Sequence, residues 1–200
     1  MSLEVDVRKL ALLNRTAKKG GDTVASHLHQ LTGLDAEMEI TKINFLEVPD
    51  VRTHVGNEKQ IGISLELVDP PHGHLLILFD SKGARELAGA MLGEMADPAA
   101  ADGGFSDMER SAIREIGNIM TSGFIDGWAE VLEEKIDIST PNFMYGPGSG
   151  MVDDLLADLD TDLALLFDSE VHVPESNVSV RLYLFPDPVE FVQLVQNTDI

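Results

Sequence analysis

The chain has 200 residues, 35 of them acidic and 14 basic, giving a formal charge of −21; 44% of it is hydrophobic and it contains no cysteine. That length and apolar content suffice for one core-forming domain, so the acidity is not that of a disordered tail. The charge argues against nucleic acid and anionic membrane as partners, and the missing thiols exclude disulfides, Cys-based zinc and thiol catalysis.

The basic residues are seven Lys and seven Arg, while 19 Asp and 16 Glu are scattered along the whole chain. A fold that tolerates this self-repulsion suits high salt, where the screening length falls to ~3 Å at molar concentration. We read a halophile's cytosol. Met1 to Lys9 has neither a basic n-region nor an apolar h-region, and no apolar run nears the roughly 18 residues of a membrane span. The expectation is a soluble, cytoplasmic protein.

In chain order, residues 5–32 read as helical, interrupted at Gly20-Gly21 with Asp22 capping the second piece. Ala36 to Val48 partly alternates and reads as a strand. Ile61 to Val68 and His74 to Phe79 are two more, joined by the turn-rich Asp69-Pro70-Pro71-His72-Gly73. A helix over about 82–93 follows, capped by Asp80 or Ser81, and Glu94 to Gly104 is the linker candidate. The order then recurs: a long helix over 107–133, a strand over Lys135 to Phe143, a Gly/Pro turn and a short acidic helix. Strands near 163–173 and 177–185 and a last helix near 187–196 complete it.

Leu34 to Ile40 echoes Leu132 to Ile138 at an offset of 98, and Leu75 to Phe79 echoes Val180 to Phe185, each pair in the same place in the order. These echoes predict a single 1–200 domain of two repeats, 1–98 and 105–200. The predicted fold class is α/β (α+β): a mostly antiparallel sheet with long helices on one side.

The long helix opens on Ser106-Asp107-Met108-Glu109, a capping box. Ile113, Ile116, Met120, Phe124, Trp128 and Val131 form its core-facing stripe, with Gly117 inside it for close packing. On the opposite arc, Ser111, Glu115, Asn118 and Ser122 fall within about 60° of one another. A face that only needs solvating is commonly filled with Lys, Glu, Arg and Gln, which favour helix more than Asn and Ser do. An amide three residues from a carboxylate can orient a water for in-line attack on phosphorus held elsewhere, while the carboxylate anchors a cation of the molecule that carries it. Only Arg114, at the margin, offers a cation, so if chemistry happens here a partner must supply the metal and the phosphate.

Ser111-x3-Glu115-x2-Asn118-x22-Pro141 matches, spacing for spacing, the signature of the CheC/CheX/FliY family of phosphatases, and Ile113 to Ile119 resembles the family's signature helix. The chain resembles CheC most, since CheC proteins carry two copies of the unit at about this length. The resemblance implies dephosphorylation of the phospho-aspartate on CheY, the chemotaxis response regulator. It implies that Glu115 anchors the regulator's active-site lysine and Asn118 positions the attacking water, with Ser111 and Pro141 supporting. It implies no cofactor of its own, with Mg²⁺ supplied by CheY, and CheD as a further partner. A non-catalytic adaptor docking CheD, CheY or the archaeal motility machinery is the alternative.

The first half departs from the pattern. At an offset of 98, Glu115, Asn118 and Pro141 map to Ala17, Gly20 and Ile43; at 100, to Arg15, Lys18 and Thr41. Aligning Asn14 with Asn118 puts Ala11 at the acid's place and Glu37 at the proline's. No register supplies the acid, so one site in the second half and a degenerate one in the first are expected.

Other motifs read as structure. Asp158-Leu-Asp160-Thr-Asp162 opens like a calcium loop but has Leu163 where glycine and Ser169 where glutamate belong. Gly146-Pro-Gly148-Ser-Gly150 lacks the phosphate-loop lysine. His27-Leu-His29 and His72-Gly-His74 lack third ligands.

Overall fold

The computed structural model describes residues 10–93, 104–157, 163–174 and 178–198. Its elements are α1 (Leu10–Thr32), β1 (Glu37–Glu47), α2 (Val48–Val55), β2 (Lys59–Leu67), β3 (Gly73–Phe79) and α3 (Ser81–Leu92). After them come α4 (Asp107–Leu132), β4 (Asn142–Pro147), α5 (Gly148–Leu156), β5 (Leu163–Val173), β6 (Val178–Pro186) and α6 (Pro188–Asn197). The calcium-like Asp158 to Asp162, most of the linker candidate and the start of the first predicted helix lie outside the described residues.

The six strands form one sheet in the order β1-β5-β6-β3-β2-β4, every pairing antiparallel. Successive side chains of a strand point to opposite faces. On β3, Leu75, Ile77 and Phe79 enter the larger core with α1, α3, α4 and α6, while Leu76 and Leu78 enter a second core under α2 and α5. The long helices thus share one side, as expected from sequence, and two short helices add a layer on the other. Burial on both faces is why Leu75 to Phe79 is an unbroken apolar run.

Helix starts follow local chemistry. Asp80 caps α3, its Oδ1 accepting from the backbone N–H groups of Lys82 and Gly83, each at 2.8 Å. Asp187 caps α6 in the same way, with Pro188 at the first position.

Three sequence expectations need correction. Helix α1 runs unbroken through Gly20-Gly21, because Gly20 is where it crosses α4 and Gly21 is where it rests on β1, a Cβ there lying 3.2 Å from the Met38 carbonyl oxygen. A Cβ on Gly127 would lie 2.4 Å from the Gly20 nitrogen, and one on Gly20 would lie 2.9 Å from the Phe124 ring. The strand expected over Lys135 to Phe143 begins only at Asn142. Before it, Ile138 makes a single bridge to Leu67, because β2 ends there and its ladder with β4 spans Lys59–Ser64. Helix α2 was not foreseen: Pro49 sits in its first turn and only Val51 and Val55 are buried, too little for an apolar periodicity to register.

Candidate functional site

Helix α4 is held in place along its length. Ser106 accepts from the Glu109 N–H at 3.1 Å while Glu109 Oε2 accepts from the Ser106 N–H at 2.7 Å, closing the capping box. Glu109 also pairs with Arg85 at 3.1 Å, which ties the start of α4 to α3. On the core side Gly117 rests on β2, where a Cβ would meet Ile63 at 2.7 Å. Further on, the Trp128 ring packs 4.7 Å from Phe167, 5.4 Å from Phe191 and 5.5 Å from Phe124.

Fixing one side of the helix fixes the other. Ser111 and Glu115 are exposed, and Asn118 and Ser122 are half-buried, on the face turned from the core. Glu115 and Asn118 are separated by about 4.5 Å of helical rise. Neither side chain takes part in a hydrogen bond or ion pair among the described residues. Pro141 is half-buried where the chain turns from the Ile138 bridge into β4.

Two of the cations nearby are committed elsewhere. Arg110 donates to the Phe105 carbonyl at 3.1 Å and lies 5.5 Å over the Phe143 ring, and Arg85 also donates to the Gly104 carbonyl at 2.8 Å. Arg114 is exposed. Among the described residues no group of three His, Asp or Glu could hold a metal ion. The face can accept a cation at Glu115 and can both donate and accept at Asn118.

A model of the CheC-like family matches residues 108–145, which span the exposed face and the start of β4. A protein of Halobacterium salinarum, provisionally named a CheY-P phosphatase, CheC1, is 46% identical over 98% of this chain and all of its own. The chain belongs to the CheC-like family. Among solved structures, the FliY of Thermotoga maritima has a TM-score of 0.76 at 15% identity, covering 98% of this CheC-like chain and 99% of FliY. The FliM middle domain of H. pylori gives 0.68 at 9% identity, covering 96% and 99%, and the CheX of Vibrio vulnificus 0.56 at 15%, covering 86% and 96%. At such identities these neighbours speak for the CheC-like fold alone. Among the described residues no helix is long and apolar enough to cross a membrane.

In the first half, α1 buries Leu12, Thr16, Gly20, Val24 and Leu28 at helical spacing and exposes Arg15 and Lys18. These two hold the places of Glu115 and Asn118 at an offset of 100. One histidine of each His-x-His pair has an acidic partner: His29 pairs with Asp35 at 2.9 Å, and His72 with Glu190 at 2.9 Å.

One polar cluster was missed from sequence. Under α2, His54 Nε2 lies 2.7 Å from Asp168 Oδ2, and Arg181 Nη1 lies 3.7 Å from the same oxygen while donating to the Tyr183 hydroxyl at 3.2 Å. Burial pushes the Tyr183 phenol above its ordinary value, partly opposed by the Arg181 hydrogen bond. A carboxylate inside the apolar run Leu163 to Phe167 and beyond was the available signal, since a buried charge requires a partner.

Proposed function

We propose that the chain is a chemotaxis phosphatase that hydrolyses the phospho-aspartate of a CheY-type receiver. What supports the reading is one observation: an exposed carboxylate and an amide, three residues apart and unengaged by any described group, on the solvent side of a rigidly held helix. Glu115 pairs with a lysine of the receiver and fixes the docking geometry. Asn118 enters the receiver's site, accepts from the attacking water and aligns it with phosphorus. The water oxygen forms the new P–O bond, the bond to the aspartyl oxygen breaks, and the products are phosphate and a free carboxylate. Mg²⁺, which neutralises phosphoryl charge, belongs to the receiver. Ser111 and Pro141 shape the two flanks of the face, and the first repeat carries no working site. The setting is the cytoplasm of a salt-adapted cell, with CheD as a further partner.

The test is decay of phospho-CheY in molar potassium chloride, with and without this protein. Glu115→Ala and Asn118→Ala each lower the stimulated rate on the order of a hundredfold, the scale of losing alignment in a positioned reaction. Stimulation that survives in the double variant refutes the assignment. A second reading, a non-catalytic adaptor, draws on the first half, where no register supplies the acid. Unchanged decay alongside a stable CheD complex favours it.

A further inference from the structure

The exposed face of α4 continues past Asn118. Ser122 follows about 6 Å along the axis and Asp126 about 12 Å along it. Beside them the chain returns from the end of α4 towards β4, and between helix and returning chain lies an open groove of about 470 Å³. Val68, Ile125, Ile136 and Ile138 give it an apolar lining, and Ser122 and Asp126 stand on its helix side.

The far wall is rigid. The Val68 N–H donates to the Asp137 carbonyl at 2.8 Å, the Ser139 N–H to the Glu66 carbonyl at 2.9 Å, and the Asp137 N–H to Asp69 Oδ2 at 2.9 Å. Val68 is nevertheless 54% exposed, more than almost any other large apolar side chain described. The charges are unevenly committed. Asp137 pairs with Lys135, and Asp69 holds a backbone amide, whereas Asp126 makes no ion pair or hydrogen bond among the described residues.

We propose that this groove is the specificity-determining subsite of the α4 face: it takes an apolar side chain of the phosphorylated receiver, while a neighbouring Lys or Arg of that receiver pairs with Asp126. The inference rests on the phosphatase reading above. Size supports it first. A stable interface covers about 800 Å² on each partner, a disc of roughly 16 Å radius, so a protein centred on Asn118 also covers Ser122, Val68 and Asp126. Charge supports it second. Glu115 and Asp126 both face the partner from a chain of net charge −21, so the matching surface is basic around an apolar centre. Together they make the groove the part of the footprint that distinguishes receivers, while Glu115 and Asn118 act on the group that all phosphorylated receivers share.

The experiment measures phospho-receiver hydrolysis against receiver concentration for wild type, Val68→Lys/Asp126→Lys and the milder Val68→Ala/Asp126→Asn. All substituted positions are exposed, and circular dichroism checks the fold. The lysine pair is expected to raise KM about tenfold and the milder pair about threefold, with kcat within about twofold of wild type, as loss of uniform binding requires. By contrast, Asn118→Ala lowers kcat. An unchanged KM in both groove variants overturns the inference, as does a dimer of this chain that either groove variant dissolves. Should wild type fail to accelerate hydrolysis at any concentration, the phosphatase reading falls. Titration with the beryllofluoride-activated receiver then decides the groove separately, expecting the same tenfold and threefold losses of affinity.

Discussion

The crossing of α1 and α4 turns one substitution into two opposite outcomes. A Cβ on Gly127 would lie 2.4 Å from the Gly20 nitrogen, 2.5 Å from its Cα and 2.7 Å from the Lys19 carbonyl carbon. All three are backbone atoms of a long helix, so no rotamer relieves the clash and the two helices must part. Overpacking of this kind costs about 1–3 kcal/mol, and the position lies at its upper end. Alanine's helix preference over glycine returns about 1 kcal/mol. The net expectation for Gly127→Ala is a loss of about 1–2 kcal/mol, which at this chain length lowers Tm by about 2–8 °C. Gly89 in α3 provides the control, because a Cβ there meets nothing within 4 Å. Gly89→Ala therefore gains about 0.5–1 kcal/mol and raises Tm by about 1–4 °C. Urea unfolding of both variants, with wild-type m-values as a guard on two-state behaviour, measures the two signs. A Gly127→Ala protein as stable as wild type would refute the argument that these glycines are kept for helix contact.

Tyr183 and Ser106 provide two further tests. Because burial raises the Tyr183 phenol above its ordinary value near 10, its contribution is fully present below that pH and is lost as pH climbs through the raised value. Urea midpoints between pH 9 and 11 should fall less steeply for Tyr183→Phe than for wild type; equal slopes refute the burial argument. Ser106→Ala removes one half of the capping box and costs about 1 kcal/mol, read as a lower urea midpoint and faster amide exchange in the first turn of α4. Unchanged exchange there would mean that Glu109 alone secures the helix start.

What could be read from residues divides by range. Strands β2, β3, β5 and β6 are apolar runs ended by turn residues, and the caps at Asp80, Ser106 and Asp187 lie within three positions of the amides they satisfy; both signals are local. The glycines of α1 misled because a helix interior needs a reason to carry glycine; for Gly20 that reason is Phe124 and Gly127, about a hundred positions away, and for Gly21 it is the Met38 backbone of β1. Ile136 and Ile138 alternate as a strand does, yet only Leu67 is there to pair with them. The same division holds at the candidate site. Glu115 and Asn118 stand out on one helix, whereas the groove joins Val68 to Ile125 and Ile138, and His54 meets Asp168 only after the sheet forms. The contiguous run Leu75 to Phe79 already contained the news of a second helical layer.

The strand order reads the same from either end when the halves are exchanged: β1 takes the place of β4, β5 of β2 and β6 of β3. Three of the five pairings, β1–β5, β6–β3 and β2–β4, cross between the halves. Each half's outermost strand is therefore hydrogen-bonded solely to the other half, and neither half can be cut away as a separate module without stripping the other of an edge. A chain woven in this way can vary the exposed face of either long helix, as Arg15 and Lys18 on α1 beside Glu115 and Asn118 on α4 illustrate, but it cannot shed the half that bears it. The first half is scaffolding for the second: α1 braces α4, and β1 closes the edge of β5.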